Sequence, residues 1–333
     1  MAELPPLRMG VLGAAKISAS ALYHPVATNP DVELVAIAAR DRGRAQQHAA
    51  EHSIASVEDT YEDVLARDDI DAIFNPLPIS LHHQWTIAAL QAGKHVLCEK
   101  PFASNAAQAA EMVAVGRNEG RVLVEAFHWR YHPMATRIDE LVDAVGGATR
   151  IDALFNAPVP ADDAVRRSWE LSGGALMDLG CYPVQWTRFA ARAEPTNIQA
   201  RMRTHAPTGS ELVDSQTELW LEFSGGCVAH VSTSMDDEFA AHLAVEGPNG
   251  RFVVHNPLAP HMGNRIDIEL NGRSSTETVE GLTTYQHQMA AFVDAVRNGV
   301  AVPTGGADSV ATMLVIDRAY VAAGLPRRGS ALN

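Results

Sequence analysis

Cysteine is scarce in this chain: three in 333 residues, at Cys98, Cys181 and Cys227. They lie far apart, are odd in number and never form a C-x-x-C pair. That argues against a disulfide framework and for a reducing compartment. Long apolar runs are missing as well. No stretch approaches the ~18 uninterrupted apolar residues of a membrane helix. The opening MAELPPL has no basic start with an apolar run behind it, so no signal peptide is expected. The expected location is the cytoplasm, with no membrane partner. Positive charge is in deficit, 26 Lys and Arg against 40 Asp and Glu, for a formal net charge of −14. An acidic surface is a poor match for phosphate backbones, which argues against nucleic acid as a partner.

What is present is globular: 47% of residues are hydrophobic and 20% are charged. The length is too great for one ordinary core and predicts two domains. Up to residue 125, strand and helix patterns alternate, as in a parallel α/β sheet. Strands are expected at MGVL, VELVAIAA, IDAIFNP, HVLC and RVLVEAF. Helices are expected at KISASALYHPVA, at DRGRAQQHAAEH capped by Asp41, and at SNAAQAAEMVAVGRNEG. Another is expected at SLHHQWTIAALQAG, capped by Ser80, with Leu81, Trp85, Ala88 and Ala92 on one face. From residue 126 to 333 the rhythm changes. TRIDALFN, NIQARMRTH, DSQTELWLEF, GCVAHVSTSM, AAHLAVEG, GRFVVHN and NRIDIEL read as strands, several half-exposed. Two helices, TYQHQMAAFVDAVRNG and ADSVATMLVIDRAYVAAG, close the chain. The expected fold is a doubly wound parallel sheet followed by an α+β domain on a large, open, mostly antiparallel sheet.

RMGVLGAAKIS, residues 8–18, sits where a dinucleotide-binding strand-turn-helix would begin. The G-x-G-x-x-G fingerprint is reduced to Gly13, with Ala15 and Ser18 at the other two positions. Gly13 can make the tight turn, and the two small residues still permit close approach. An ordinary strand–helix junction would look much the same. The second strand ends in AIAARDRGR. An arginine at that tip accommodates a ribose 2′-phosphate, whereas an acidic residue holds a 2′-hydroxyl. Arg40, with Arg42 and Arg44 nearby, tilts the cofactor towards NADP, with NAD as the other possibility; a solvated face of arginines is the alternative. Asp41 is either a helix cap or a ribose ligand.

Two further motifs carry more. CEKPFASN places Glu99, Lys100 and Pro101 at the C-terminal end of a parallel strand, where open α/β sheets bind ligands. Pro101 can adopt a cis bond and re-aim the lysine; a plain turn with a surface lysine is the alternative. GGALMDLGCYPVQW sets Asp178 and Tyr182 four apart, on one face of a helix. Paired glycines precede them, and Pro183 sits awkwardly inside. A carboxylate and a phenol on one face suit a hydroxyl substrate; a buried, satisfied polar pair is the alternative.

With these motifs, VEAFHWRYHP at 124–133 and VIDRAYVAAGLP near the end, the chain resembles the Gfo/Idh/MocA oxidoreductases (the glucose–fructose oxidoreductase and inositol dehydrogenase type) over nearly its whole length. The likeness is strongest to the branch of xylose dehydrogenases and dimeric trans-dihydrodiol dehydrogenases. The resemblance implies a Rossmann domain, a substrate domain, and hydride transfer between NADP and a hydroxyl of a sugar, polyol or dihydrodiol. It implies Lys100 and Tyr182 as catalytic residues, with Asp178 holding substrate. Cofactor contacts are implied for Gly13, Ala14, Ala15, Lys16, Ile17, Arg40, Arg44, Pro76, Leu77, His82, Glu99, Lys100, Trp129 and Arg130. It also implies a homodimer or higher homo-oligomer through the open sheet. Ile79 stands where the family often has Asn, and Ser172 and Ser168 stand where the branch usually has Gly and Asp, respectively. These departures bear on substrate choice. A metal is not expected: His128 and His132, or His82 and His83, lack the companion ligands of a zinc site. A non-catalytic NAD(P)-binding regulator and an NAD-dependent glycosidase are the competing readings on the same fold.

Overall fold

The structure is a computed structural model and describes residues 5–204 and 212–330. His205, the last residue of the expected strand NIQARMRTH, lies outside the described residues. In chain order the first elements are β1 (Leu7–Leu12), α1 (His24–Ala27), β2 (Val32–Ala38), α2 (Arg42–His52), β3 (Ser56–Val57), α3 (Tyr61–Leu65), β4 (Ala72–Asn75), α4 (Ile79–Gln91), β5 (His95–Cys98), α5 (Ala106–Asn118) and β6 (Leu123–Glu125). Then come α6 (Pro133–Ala144), β7 (Arg150–Asn156), α7 (Cys181–Ala191), β8 (Pro195–Thr204), β9 (Asp214–Phe223), β10 (Val228–Ser234), β11 (Ala240–Gly247), β12 (Gly250–His255), β13 (Arg265–Leu270) and β14 (Arg273–Glu277). Two helices, α8 (Thr284–Asn298) and α9 (Ala307–Ala322), follow.

The chain forms two compact units. The first runs to Ala103 and adds Ala107–His128 and Tyr285–Val310; the second holds Ser104–Ala106, Trp129–Thr284 and the chain from Ala311. Periodicity predicts a single change of domain near residue 126. Instead the chain returns to the first unit for most of α8. Backbone pairing explains the return: Glu125 donates its N–H to the Thr304 carbonyl at 3.0 Å, and the Thr304 hydroxyl donates back to the Glu125 carbonyl at 2.6 Å. Arg297 meets Asp31 at 2.5 Å in the same unit.

The first unit is built on a six-stranded sheet in the order β3-β2-β1-β4-β5-β6, with every pairing parallel. The strands are short and apolar because helices cover both faces; Met9, Val11, Ile37, Ile73, Phe74, Val96 and Leu97 are all fully buried. The strand order reverses between β1 and β4. The loops that follow those two strands therefore open at the point where such sheets take ligands.

Two helices depart from regularity in the same way. A single helix over KISASALYHPVA is expected, but Ala19–Tyr23 is a π-turn that passes into α1 with Pro25 in its first turn. Leu176–Gly180 is likewise a π-turn that passes into α7, whose first turn holds Pro183. Proline has no N–H to give to the ladder, so the helix widens and restarts, and the missing donor falls in a first turn where none is needed.

The second unit carries an eight-stranded sheet in the order β14-β13-β12-β11-β7-β10-β9-β8. It is antiparallel except for β7 beside β10. One face is apolar, with Ile151, Ala153, Leu219, Leu221, Val231 and Leu243 buried, and α7 packs against it. The other face carries polar side chains, among them Asp152 paired with His230 at 3.0 Å and His242 at 2.7 Å. Two elements of this unit were not expected, as β3 and α3 of the first were not. Strand β14 is a polar edge with no apolar alternation, and α6 starts from His132, whose ring accepts the Met134 N–H at 3.1 Å. Among the described residues no helix is long and apolar enough to cross a membrane, and all three cysteines are buried and outside any disulfide.

Candidate active site

In the first unit the loops after β1, β4 and β5 are tied to one another. Gly13 has φ +91°, a left-handed conformation that costs any other residue. A Cβ there would lie 2.9 Å from Leu77 Cδ2. The turn after β1 therefore presses its backbone directly on the loop after β4. Ser18, at the third fingerprint position, is fully buried, and Ala14 is 7% exposed, while Lys16 and Ile17 face solvent. Arg44, from α2, donates to the Ala14 carbonyl and lies across this loop. Arg40 is exposed at the tip of β2. Of the two roles open to Asp41, the structure shows the cap: its carboxylate accepts the Arg44 N–H at 3.1 Å. Arg42 pairs with Asp59.

The loop after β4 contains Pro76 and Leu77, both buried. It is held by His82, whose Nε2 lies 2.7 Å from the Leu77 carbonyl and whose Nδ1 lies 3.0 Å from the Pro101 carbonyl. The ring is 1% exposed, so His82 joins the two loops from beneath. Burial pushes its pKa down to about 4, against the contrary pull of the two carbonyls. This corrects the expected orientation of α4. Its buried face is His82, Thr86, Ala89 and Leu90, and Leu81, Trp85 and Ala88 are only partly covered. The polar pair is buried because it is satisfied from within, Thr86 by the buried Asn75 at 3.1 Å. The helix starts at Ile79 behind Pro78, so Ser80 lies in its first turn and does not cap it.

Glu99 donates its N–H to the Asn75 carbonyl at 3.0 Å, which continues the β4–β5 pairing by one residue. Lys100 follows, partly exposed, and the Lys100–Pro101 bond is cis. Tyr61 was missed by sequence reading. Its ring packs edge-on to Trp85 at 4.8 Å, and its hydroxyl would stand 4.0 Å from a Cβ at Gly13. No motif marks it.

In the second unit Tyr182 is 4% exposed, set between Phe155 at 5.7 Å and Trp186 at 6.1 Å between ring centres. Asp178 remains partly exposed and pairs with Arg166 Nε at 2.9 Å. The charge of Asp178 is the first cause that raises the pKa of Arg166. Sequence reading did not single out Arg166, because nothing in AVRRSWE separates it from Arg167. The structure separates them: Arg167 is buried on the Val159 and Pro160 carbonyls, whereas Arg166 keeps half of its side chain exposed. Trp129 is fully buried and donates its indole N–H to Gln185 at 2.5 Å. Arg130 lies over the Phe189 ring at 3.9 Å. Ser172, at the departure from the branch pattern, has φ +61° and shares a 2.8 Å hydrogen bond with Ser104. Among the described residues no group of three or more His, Cys, Asp or Glu side chains is placed to hold a metal ion.

A parallel sheet in this order, with a glycine turn pressed against the next loop at the reversal of strand order, defines a dinucleotide-binding protein. More narrowly, the chain belongs to the GFO/IDH/MocA oxidoreductases. Residues 7–127 match the model for the oxidoreductase family with an NAD-binding Rossmann fold, and residues 136–253 match a GFO/IDH/MocA C-terminal domain. The chain is 33% identical over 323 residues to D-xylose 1-dehydrogenase (NADP(+)) 2 of Haloferax volcanii, covering 95% of this chain and 97% of that protein. It is 36% identical over 249 residues to trans-1,2-dihydrobenzene-1,2-diol dehydrogenase of Xenopus laevis, covering 74% and 72%. The fold matches a 3-ketoreductase from Actinomadura kijaniata in complex with NADP and TDP-benzene, with TM-score 0.89, 27% identity, and 95% and 98% of the two chains covered.

Proposed function

We propose that the protein is an NADP-dependent dehydrogenase that reversibly oxidises a hydroxyl of a sugar, polyol or trans-dihydrodiol. The observation that carries this reading is the likeness, over 95% of the chain, to an NADP-dependent xylose dehydrogenase, in a chain with Lys100 after β5 and Tyr182 in α7. The residues present fit the cofactor. The Gly13 turn brings backbone to the mouth of the sheet, where a side chain would be strained at φ +91° and press on Leu77. With Asp41 engaged as a cap, the tip of β2 offers Arg40 in place of a carboxylate, which favours a 2′-phosphate over a free ribose hydroxyl.

NADP, when bound, supplies the hydride acceptor. The protein's own part is to orient the hydroxyl and to manage one proton. In this reading the Tyr182 phenol oxygen takes that proton during oxidation and returns it in the reverse direction. A free tyrosine titrates near ~10, so the base form needs a cation, and Lys100 is assigned that role. Asp178, steadied by Arg166, holds a second hydroxyl. Gly13, Ala14, Ala15, Lys16, Ile17, Pro76 and Leu77 form the cofactor loops, Arg40 and Arg44 serve the adenosine end, and Glu99 and Arg130 serve the ribose and nicotinamide; Trp129, expected there too, is fully buried beneath Arg130 and has no surface to offer the cofactor. His82 acts by holding the Leu77 and Pro101 loops.

The test is a panel of D-xylose, D-glucose, a polyol and trans-dihydrobenzenediol with NADP+, followed at the reduced-nicotinamide absorbance. Net accumulation of reduced cofactor is expected. Glycoside cleavage without net reduction would make it a glycosidase, and cofactor binding with neither would make it a regulator. Lys100→Met and Tyr182→Phe should each keep cofactor binding and lose most turnover; near wild-type rates in either remove that residue from the assignment. Arg40→Ala should weaken NADP+ more than NAD+, and an equal effect removes Arg40 from the 2′-phosphate.

A further inference from the structure

The buried pair of Asp214 and Arg328 has no part in the reading above, yet it grips the backbone that leads into the Asp178–Tyr182 segment. Both side chains are 0% exposed and meet at 2.7 Å. Asp214 uses both oxygens. Oδ1 accepts from Arg328 and, at 2.8 Å, from the Tyr320 hydroxyl. Oδ2 accepts the Leu176 N–H at 2.7 Å and the Thr217 hydroxyl at 2.9 Å. Arg328 Nε donates to the Gly173 carbonyl at 2.7 Å, and its guanidinium lies over the rings of Trp169 and Tyr320. Burial raises the Tyr320 pKa well above the ordinary value, so the hydroxyl keeps the proton that it gives to Asp214.

The second of the two glycines makes this contact possible, while a Cβ on Gly173 would meet the Arg166 carbonyl oxygen at 2.3 Å. Gly174 has φ +137°, and a Cβ on it would lie 2.2 Å from Asp214 Oδ1 and 2.8 Å from Arg328 Nη2. Its carbonyl takes the Asp178 N–H at 2.9 Å, an α-type bond just ahead of the π-turn. The Gly174 N–H goes to the Arg166 carbonyl at 2.9 Å, and the Arg166 side chain meets Asp178. A buried charge pair costs desolvation and by itself is weak evidence of stabilisation. Here two of its hydrogen bonds, Arg328 to the Gly173 carbonyl and the Leu176 N–H to Asp214, fix the backbone that leads into Asp178 and Tyr182, and the Thr217 and Tyr320 hydroxyls hold Asp214 in place. Proton transfer is steeply sensitive to such placement.

We infer that Asp214 and Arg328 are positioning residues of the dehydrogenase reaction, clamping the Gly173–Gly174 turn so that Tyr182 and Asp178 are held in register. The inference rests on the catalytic reading of Tyr182. Removing either charge outright endangers folding, so mild variants of the full chain serve. Tyr320→Phe deletes one donor to Asp214, and Arg328→Lys keeps the charge but loses the fixed fork that reaches Gly173. Amide exchange by mass spectrometry is read across 173–184, with β1 and β2 as internal controls. The panel substrate with the highest rate is used for kinetics. In Tyr320→Phe, exchange at Leu176–Asp178 speeds up about tenfold and kcat falls by a similar factor, while KM and the NADP+ Kd stay within about twofold. In Tyr182→Phe the same change at Tyr320 has no further effect on kcat, because the positioned group is gone.

Unchanged exchange overturns the clamp, and so does unchanged kcat per folded molecule. A Tyr320→Phe loss that simply multiplies the Tyr182→Phe loss overturns it as well. If Tyr182→Phe alone keeps its rate, the catalytic reading fails instead, and the exchange result still judges the clamp. Arg328→Lys repeats the comparison from the other side of the pair, and Tyr320→Phe alone decides if that variant does not fold.

Discussion

Lowering the pH from 7 to 4 should remove about 3 kcal/mol of stability at one side chain, His82. Its ring is 1% exposed and sits between the carbonyls of Leu77 and Pro101. The neutral imidazole donates to one of them. A second proton would find the other carbonyl, but burial outweighs that gain and lowers the pKa from 6.5 to about 4. In the unfolded chain the same ring takes its proton near ~6.5. Between the two values the unfolded state holds more protons than the folded one. Stability therefore rises with pH across that window, and acid removes it until the folded state is protonated too, below pH 4. A gap of about 2.5 pH units at about 1.36 kcal/mol each gives about 3 kcal/mol. Urea unfolding of the wild type and of His82→Gln at pH 7, 6, 5 and 4 isolates this contribution. The glutamine amide can serve one carbonyl and never takes up a proton. The variant starts less stable, and its deficit should shrink by about 3 kcal/mol as the pH falls to 4, since other groups cancel in the difference. Parallel curves, with a deficit constant to within about 1 kcal/mol, would refute the buried neutral histidine.

Three further outcomes are expected. Gly13→Ala places a methyl 2.9 Å from Leu77 Cδ2 at φ +91° and should raise the NADP+ Kd about tenfold, the equivalent of a ~1–2 kcal/mol backbone penalty; an unchanged Kd by calorimetry removes this turn from the cofactor. Arg166→Gln breaks a half-exposed pair with Asp178, so KM for the sugar should rise only about fivefold with kcat nearly kept; a collapse of kcat at constant KM contradicts a substrate-holding role. At Ser172, with φ +61° and its bond to Ser104, Ser172→Ala should cost about 1 kcal/mol while Ser172→Gly stays within about half of that, because glycine relieves the strain; the reverse order in denaturation would contradict this account.

What could be read from the chain, and what could not, follows from the range of each signal. The β/α alternation is local, and β2, β4 and β5 fall within the expected runs. Asp41 acts as the expected cap for the same reason. The face of α4 was misread because apolar spacing ignores polar groups whose partners come from distant loops, and Thr86 is matched by Asn75, eleven residues earlier. The strand β14, Arg-Ser-Ser-Thr-Glu, has no apolar alternation at all and exists because β13 offers it an edge. The parallel pairing of β7 with β10 and the ties between Glu125 and Thr304 are matters of topology, which no window of residues contains. Of the residues proposed to act, Gly13, Lys100, Asp178 and Tyr182 announce themselves by motif. Arg166, Asp214 and Arg328 do not, since a charge is marked only by what it faces.

The return of Tyr285–Val310 to the first unit has a consequence for how the protein is made. A ribosome that has released residues 1–125 has delivered the whole parallel sheet, but not the threonine that closes the edge at β6 or the arginine that pairs with Asp31. The nucleotide-binding body starts first and finishes late, after the strands of the other sheet have all emerged. A fragment cut at residue 125 would be the product of that unfinished stage, with β6 left as an open edge. The stretch 285–310 belongs to the first unit as fully as the glycine turn does.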